Sequence, residues 1–465
     1  MECIFKKSYE AEKDLKYLLE IFRKKLNVNF LGVNVFDLLY YSLAWRIFPL
    51  IRDEIFYSKV KDKNIRDIFD KVKKREKLLK YKLILKIIRN LILFAIFLFL
   101  RKRKSSKILS LVYLKDFDFV YFTSSFGLFL KNRESFYFPK YIFFLKNSYS
   151  IYLDSRKICK KLFYNLPKKI RQKYYGILSY YLFYRIPFLF SYFNFFKKEF
   201  KRYEYFLTSE EVSKLMVIFR SIFKKFYCFQ HGHVWTKGSI PMGDLGFFPI
   251  RSDKVFLWGE EFKKIFLERD VDEKKLDVVG SILHVKVFKK KKEFESESGR
   301  VLFITQQFVG VEDELIYLFS RFLEGFKLAC KKREDLKLIL KARKREDLKV
   351  YKILLKKFNI ENFKILTENL IEEIQKAESV FSIYSSALYE AILFNRHIFC
   401  VFPENCIPFF PYKFFGIPYS DNPEKIGNFI ISPFSFNFDI SQFKNYIINV
   451  DDPEIVYVKI KRYIT

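Results

Sequence analysis

Ser379-Val-Phe-Ser-Ile-Tyr-Ser385-Ser386-Ala-Leu-Tyr-Glu390-Ala391 is the stretch from which the fold is read. Its first half is a short apolar run of the kind that forms a strand buried on both faces. Its second half opens directly into a helical pattern, with two hydroxyl residues at the corner. At such a corner the serine hydroxyls and the unbonded N–H groups of the helix start converge, with the helix dipole behind them. That spot suits a phosphate. It equally suits ordinary capping by Ser385 or Ser386, and a cap leaves other N–H groups free.

The same rhythm extends in both directions. Strands are expected at Val301 to Ile304, Leu336 to Leu340, Phe363 to Ile365, Ser379 to Ile383 and His397 to Phe402. Helices are expected between them at Glu314 to Lys332, Glu346 to Lys357, Leu370 to Lys376 and Ala387 to Phe394. Upstream, strands are read at Asp118 to Thr123, Tyr203 to Leu207, Phe226 to Phe229, Lys254 to Leu257 and Asp277 to Val279, with Thr208 and Ser209 capping a helix and another helix at Glu260 to Glu268. Strand and helix alternating in this way predict parallel sheets covered on both faces, with the loops after the strands gathered on one edge. The fold class is α/β: two facing Rossmann-like domains with a helical N-terminal extension. The charged, Ser-containing segment from Lys286 to Arg300 marks the boundary, giving 1–105 as the extension, 106–285 as the first domain and 286–465 as the second.

With 465 residues, half of them hydrophobic and a fifth aromatic, the chain has ample material for two cores. A net charge of +33 predicts attraction to polyanions, whether nucleic acid, anionic lipid or nucleotide substrates, and a Lys-rich compositional bias gives the same number. Six scattered cysteines without CxxC spacing indicate neither a zinc site nor a disulfide framework and fit a reducing cytoplasm. No secretory signal is read at the N-terminus. Leu91 to Leu100, flanked by Lys and Arg, is too short for a span, and Tyr180 to Phe196 is broken by Arg185 and Pro187. Both read as core helices or as segments docking in the plane of an anionic membrane.

Ser385-Ser386 with Glu390-Ala391, and Phe229-Gln230-His231-Gly232-His233 after a strand of the first domain, resemble motifs of GT-B glycosyltransferases of bacterial surface polysaccharide synthesis, in the polysialyltransferase-like and CDP-glycerol phosphotransferase-like group. The resemblance covers about residues 115–420. It implies that Ser385 and Ser386 hold the donor's phosphate and that Glu390 binds its ribose, a position an exposed helix glutamate would also fill. Gln230, Gly232 and His233 form an acceptor-side loop in which His231 is the general base, imidazole being the natural proton acceptor near neutral pH. The bland alternative for His231 is a hydrogen-bonding loop residue.

Lys341-Ala-Arg343-Lys344 stands where the family carries Lys-x-His-Pro. Arg343 cannot shuttle a proton, but it can neutralise a departing phosphate, with Lys341 beside it; a solvated basic turn is the alternative. Thr305 and Gln306 match the loop that approaches the donor. Asp313, within Glu312-Asp313-Glu314, is the rival base or a first-turn dipole residue. The function implied is transfer of a sugar from a CMP-, CDP- or UDP-linked donor to a glycan or lipid-linked acceptor. No cofactor and no metal are expected, and the location implied is the cytoplasmic face of the membrane. The alternatives are a CDP-polyol phosphotransferase of the same fold and a basic nucleic-acid-binding protein. No nucleic-acid partner is expected, because no RRM, KH or zinc-finger pattern is recognisable and the basic residues are not gathered in one block.

Overall fold

The computed structural model of the chain describes residues 6–40, 108–110, 118–123, 127–131, 134–137, 148–191, 204–208, 214–230, 248–281, 295–306, 312–342, 348–406 and 416–434, with isolated residues between and beyond these, His284 among them. By its contacts the chain divides into two compact units. One holds Met1–Tyr9, Gly232–Asp244 and Leu257–Thr465, and the other Glu10–His231 and Leu245–Phe256.

The chain opens with a helix, Lys6–Leu26, and a short hairpin of β1 (Asn29–Phe30) and β2 (Val33–Asn34). The strands β3 (Ile108–Ser110), β4 (Asp118–Thr123), β5 (Gly127–Lys131), β6 (Glu134–Tyr137), β7 (Tyr205–Thr208), β8 (Lys225–Phe229), β9 (Lys254–Leu257) and β10 (Leu276–Val278) form one sheet in the order β10-β9-β8-β7-β3-β4-β5-β6. From β9 to β4 the pairs are parallel, whereas β5 and β6 add an antiparallel ribbon that the strand pattern did not predict. Thr208 is no helix cap. It is the last residue of β7, buried, with its hydroxyl against Met216 Sδ at 3.1 Å. The apolar run Phe206–Leu207 simply carries the strand one residue further than expected.

The second sheet contains β11 (Arg300–Ile304), β12 (Lys337–Lys341), β13 (Phe363–Leu366), β14 (Ser379–Ser382) and β15 (His397–Cys400), all parallel, in the order β13-β12-β11-β14-β15. Helices Glu312–Cys330, Leu348–Lys357, Leu370–Lys376 and Leu388–Leu393 cross between the strands, and Pro423–Ile431 follows. Val301 to Ile304, Leu338 to Leu340 and Val380-Phe381 are all buried, as strands covered on both faces must be. Edge strand β13 carries exposed Phe363 and Lys364 instead. The core is a chain of rings: Phe303 lies 4.5 Å from Phe322, which lies 5.1 Å from Phe381, which lies 5.7 Å from both Phe399 and Phe429. In chain order this sheet is 3-2-1-4-5, the Rossmann order, which reverses between β11 and β14.

Two glycine positions allow close approach. Helices Glu312–Cys330 and Pro423–Ile431 cross at Gly325 and Gly427, where a Cβ on Gly325 would stand 2.7 Å from Ile426 Cγ2 and 2.8 Å from the Pro423 carbonyl. Gly299 enters β11 at φ +72° with its N–H donating to Glu378 Oε2 at 2.5 Å, and a Cβ there would lie 2.5 Å from the Asp335 carbonyl oxygen. Left-handed backbone and overlap with a main-chain atom both penalise a side chain, so Gly299→Ala is expected to lower stability by about 2 kcal/mol. Urea titration at fixed pH checks this through a lower midpoint with an unchanged slope.

The Leu91–Leu100 stretch lies outside the described residues. Within Tyr180–Phe196, Leu182, Ile186, Leu189 and Phe190 are buried, as core positions are, and Pro187 follows a widened π-helical turn at Tyr181–Arg185. A proline has no N–H to bond and its ring crowds the preceding turn, which accounts for the widening. Among the described residues no helix is long and apolar enough to cross a membrane. Cys406 is disulfide-bonded, a correction to the expectation drawn from cysteine spacing, whereas Cys159, Cys228, Cys330 and Cys400 are in the thiol form.

Candidate functional site at the carboxyl edge of the five-stranded sheet

Strand order reverses between β11 and β14, the point beyond whose strand ends sheets of this order hold their ligands. There lies a closed set of hydrogen bonds. Ser382 Oγ donates to the Ile304 carbonyl at 2.9 Å and accepts from Gln306 Nε2 at 3.1 Å and from the Ser385 N–H at 3.3 Å, which uses its one proton and both lone pairs. Tyr351 Oη donates to the Gln306 carbonyl at 2.8 Å and accepts from its N–H at 3.3 Å. The Thr305 N–H and hydroxyl both donate to the Lys341 carbonyl, at 3.0 and 3.1 Å, and Lys341 Nζ donates to the Ala342 carbonyl at 3.2 Å. Thr305, Gln306 and Lys341 lie at one edge of the sheet, and all three are buried and hydrogen-bonded within the fold.

The two serines part company. Ser385 is buried, and its Oγ accepts from the Ala387 N–H at 3.3 Å, which closes a local turn ahead of the helix, whose own N-cap is Ala387 without a side-chain bond. Ser386 is half-buried, and its hydroxyl has no hydrogen-bond partner among the described residues. A turn at Ser385–Ala387, closed by Leu388 N–H to Ser385 and Tyr389 N–H to Ser386, comes before the helix, which spans only Leu388–Leu393. The expected helix dipole is correspondingly short. With the Ser385 and Ala387 N–H groups engaged within the fold, what the corner leaves for an anion is the Ser386 hydroxyl and N–H.

Glu390 follows one helical turn later. It is not a solvated helix glutamate: its side chain is 19% exposed, and Oε2 is buried without a hydrogen-bond partner among the described residues. Burial pushes its carboxyl up to about 7. Facing it at 3.9 Å, from Glu390 Oε1, is Nε2 of His284, a ring that is itself buried and whose pKa burial lowers to about 4. Between about pH 4 and about pH 7 this is an approach of two uncharged groups, not an ion pair. Trp258 packs edge-on to the imidazole at 4.6 Å and Tyr389 at 5.9 Å, while Ser281 Oγ lies 2.6 Å from Nδ1.

Of the other expected residues, Asp313 lies in the first turn of helix Glu312–Cys330. Its neighbour Glu314 is buried and accepts from the Ser8 hydroxyl, so that acid serves packing rather than the helix dipole. Gln230 follows β8, is buried, and donates its N–H to the Phe256 carbonyl at 2.9 Å. His231, Gly232, His233 and Arg343 lie outside the described residues. Among the described residues no His, Cys, Asp and Glu side chains group in threes as a metal would need. A cavity of about 900 Å³ beside β15, lined by Glu404, Tyr419, Lys425, Phe429 and Phe434, contains none of the expected residues. Topology and chemistry, rather than cavity size, locate the site.

Ser281, His284 and Trp258 were not singled out from sequence. The Gly280-Ser281 turn after β10 was visible, but no spacing relates it to Glu390.

No protein-family model and no curated protein matches the chain. Among solved structures it is similar to the UDP-GlcNAc 2-epimerase of Methanocaldococcus jannaschii in complex with UDP-GlcNAc and UDP, at 14% identity and TM-score 0.41 over 60% of this chain and 81% of that one. It is also similar to a Staphylococcus aureus TarM variant in complex with UDP, at 15% identity and TM-score 0.38 over 59% and 58% of the two chains. A third similar structure is the pneumococcal O-GlcNAc transferase GtfA in complex with UDP and GlcNAc, at 13% identity and TM-score 0.37 over 52% of each.

Proposed function

We propose that the chain is a glycosyltransferase of GT-B type that moves a sugar from a nucleotide-linked donor to a surface-glycan acceptor. One observation carries this reading. The strand-order reversal presents a hydroxyl without a partner among the described residues, Ser386, and a largely buried acid, Glu390, one turn apart on the segment leaving β14. That spacing suits a phosphate at one end and a ribose at the other.

In this reading Ser385 and Ser386 hold the donor phosphate, Glu390 accepts from the ribose hydroxyls, and Arg343 with Lys341 offsets the charge of the leaving nucleotide. Thr305 and Gln306 set the floor against which the donor rests. The acceptor oxygen attacks the anomeric carbon as the bond to the phosphate oxygen breaks, and its proton passes to His231, with Asp313 as the rival base. Gln230, Gly232 and His233 shape the acceptor side. The strongly basic surface favours a donor carrying phosphates and an acceptor held at an anionic membrane.

Thermal unfolding in the presence of CMP, CDP, UDP and GDP tests the proposal. A nucleotide at a hundred times its Kd stabilises the folded state by about 2.7 kcal/mol, enough to raise the Tm by several degrees. At least one nucleotide is expected to do so, with the shift reduced in Ser386→Ala and lost in Glu390→Gln. No shift with any of the four, or an undiminished shift in both variants, contradicts it. Assay of the binding nucleotide as its sugar or as its glycerol conjugate then separates sugar transfer from polyol-phosphate transfer.

A further inference from the structure

Ser281, His284 and Glu390 form a sequence of polar groups enclosed by Trp258 and Tyr389. Ser281 Oγ accepts from the His284 backbone N–H at 3.4 Å, and the ring's Nδ1 is its only other partner among the described residues, at 2.6 Å. Giving the serine's proton to Nδ1 places the neutral ring's own proton on Nε2, the nitrogen turned toward Glu390. The carboxyl it faces still has one buried oxygen without a partner among the described residues. A buried acid left unsatisfied beside a fixed N–H donor is costly unless something completes the set.

We infer that His284 is a positioning residue for Glu390: Ser281 locks its tautomer, and the Nε2–H holds the carboxylate in the orientation that accepts two adjacent hydroxyls of the bound nucleotide's ribose. The inference rests on the assignment of Glu390 to the donor ribose. An ionised carboxylate has room for two ligand hydroxyl protons besides the imidazole N–H. The 3.9 Å gap closes when the acid gives up its proton to bind them. A ligand lacking one hydroxyl leaves that acceptor unpaired, which makes the pair a discriminator of ribose from deoxyribose.

Isothermal titration with the nucleotide that gives the largest thermal shift, and with its 2′-deoxy form, tests this on the full chain. Wild type is expected to prefer the ribonucleotide at least about tenfold. In His284→Phe, which keeps a ring against Trp258, ribonucleotide affinity falls about tenfold and deoxynucleotide affinity less than twofold, so the preference collapses. His284→Gln, with an amide N–H near the place of Nε2, keeps most of the preference. Ser281→Ala, a small change that releases the tautomer, loses about threefold and serves where His284→Phe does not fold. A folded His284→Phe or Ser281→Ala protein with the full ribose preference overturns the inference while leaving the donor site standing. Wild type that binds no nucleotide overturns both, and wild type that binds without preferring ribose overturns the role of Glu390.

Discussion

Phe381→Ala is expected to destabilise the unit containing the five-stranded sheet by about 3 to 5 kcal/mol, the cost of emptying a ring-sized space in a packed core. Phe381 is fully buried on β14 and touches the rings of Phe322, Phe399 and Phe429, drawn from a crossing helix, the adjacent strand and the last helix. Those partners are held by strands on one side and by the glycine crossing of Gly325 and Gly427 on the other, so they cannot close the gap. Because β14 also carries Ser382 and the Ser385–Glu390 segment, nucleotide binding should weaken along with stability. Denaturant titration of the variant, followed by tryptophan fluorescence and circular dichroism, measures the loss. A change below 1 kcal/mol would show that this ring chain is not the core.

The second large effect is in pH. Glu390, raised to about 7 from 4.5, keeps its proton in the folded protein where the unfolded chain has lost it, so its contribution to stability falls as pH rises from 4.5 to 7. His284, lowered to about 4 from 6.5, stays neutral where the unfolded chain binds a proton, so its contribution falls as pH drops from 6.5 to 4. Between 4.5 and 6.5 the folded state holds the proton on Glu390 and the unfolded state holds it on His284. The proton count is equal, and the pair contributes no slope. Either single variant removes the balance. Relative to wild type, His284→Gln should lose roughly 3 kcal/mol as pH rises from 4 to 6.5, and Glu390→Gln should gain roughly 3 kcal/mol as it rises from 4.5 to 7. Unfolding free energies across pH 4 to 8 for the three proteins check the two opposite slopes. Parallel curves would mean that the two groups are solvated.

The parallel strands were legible nearly to the residue because burial on both faces demands unbroken apolar runs. Val301 to Ile304 was expected and Arg300–Ile304 is found; Lys254 to Leu257 is found as expected. Thr208 misled because a β-branched hydroxyl residue serves equally as a cap or as a strand end, and only its packing on Met216 decides. The helix Pro423–Ile431 was passed over although Asn422 and Pro423 announce it: the Asn422 side chain accepts from the Glu424 N–H at 2.8 Å, and the proline takes the first helical position.

At the site, Ser385 and Glu390 could be read from local pattern because they share one strand-to-helix corner. That Ser385 bonds the Ala387 N–H and neither serine caps the helix depends on a three-residue turn that sequence did not distinguish from a longer helix. The Ser281–His284 pair was invisible for a different reason. It meets Glu390 through tertiary packing across a long stretch of chain, and the apolar neighbours Ile282, Leu283 and Val285 make His284 read as a residue in a core segment.

Hydrogen exchange read peptide by peptide, with and without the stabilising nucleotide, tests the central claim most directly. The account predicts slowed exchange concentrated in 383–391 and at the end of β11 around Thr305 and Gln306, since ligand contact there closes the loops on both sides of the strand-order reversal. Protection confined to the surroundings of Glu404, Lys425 and Phe434, or to the sheet of β3 to β10, would contradict it.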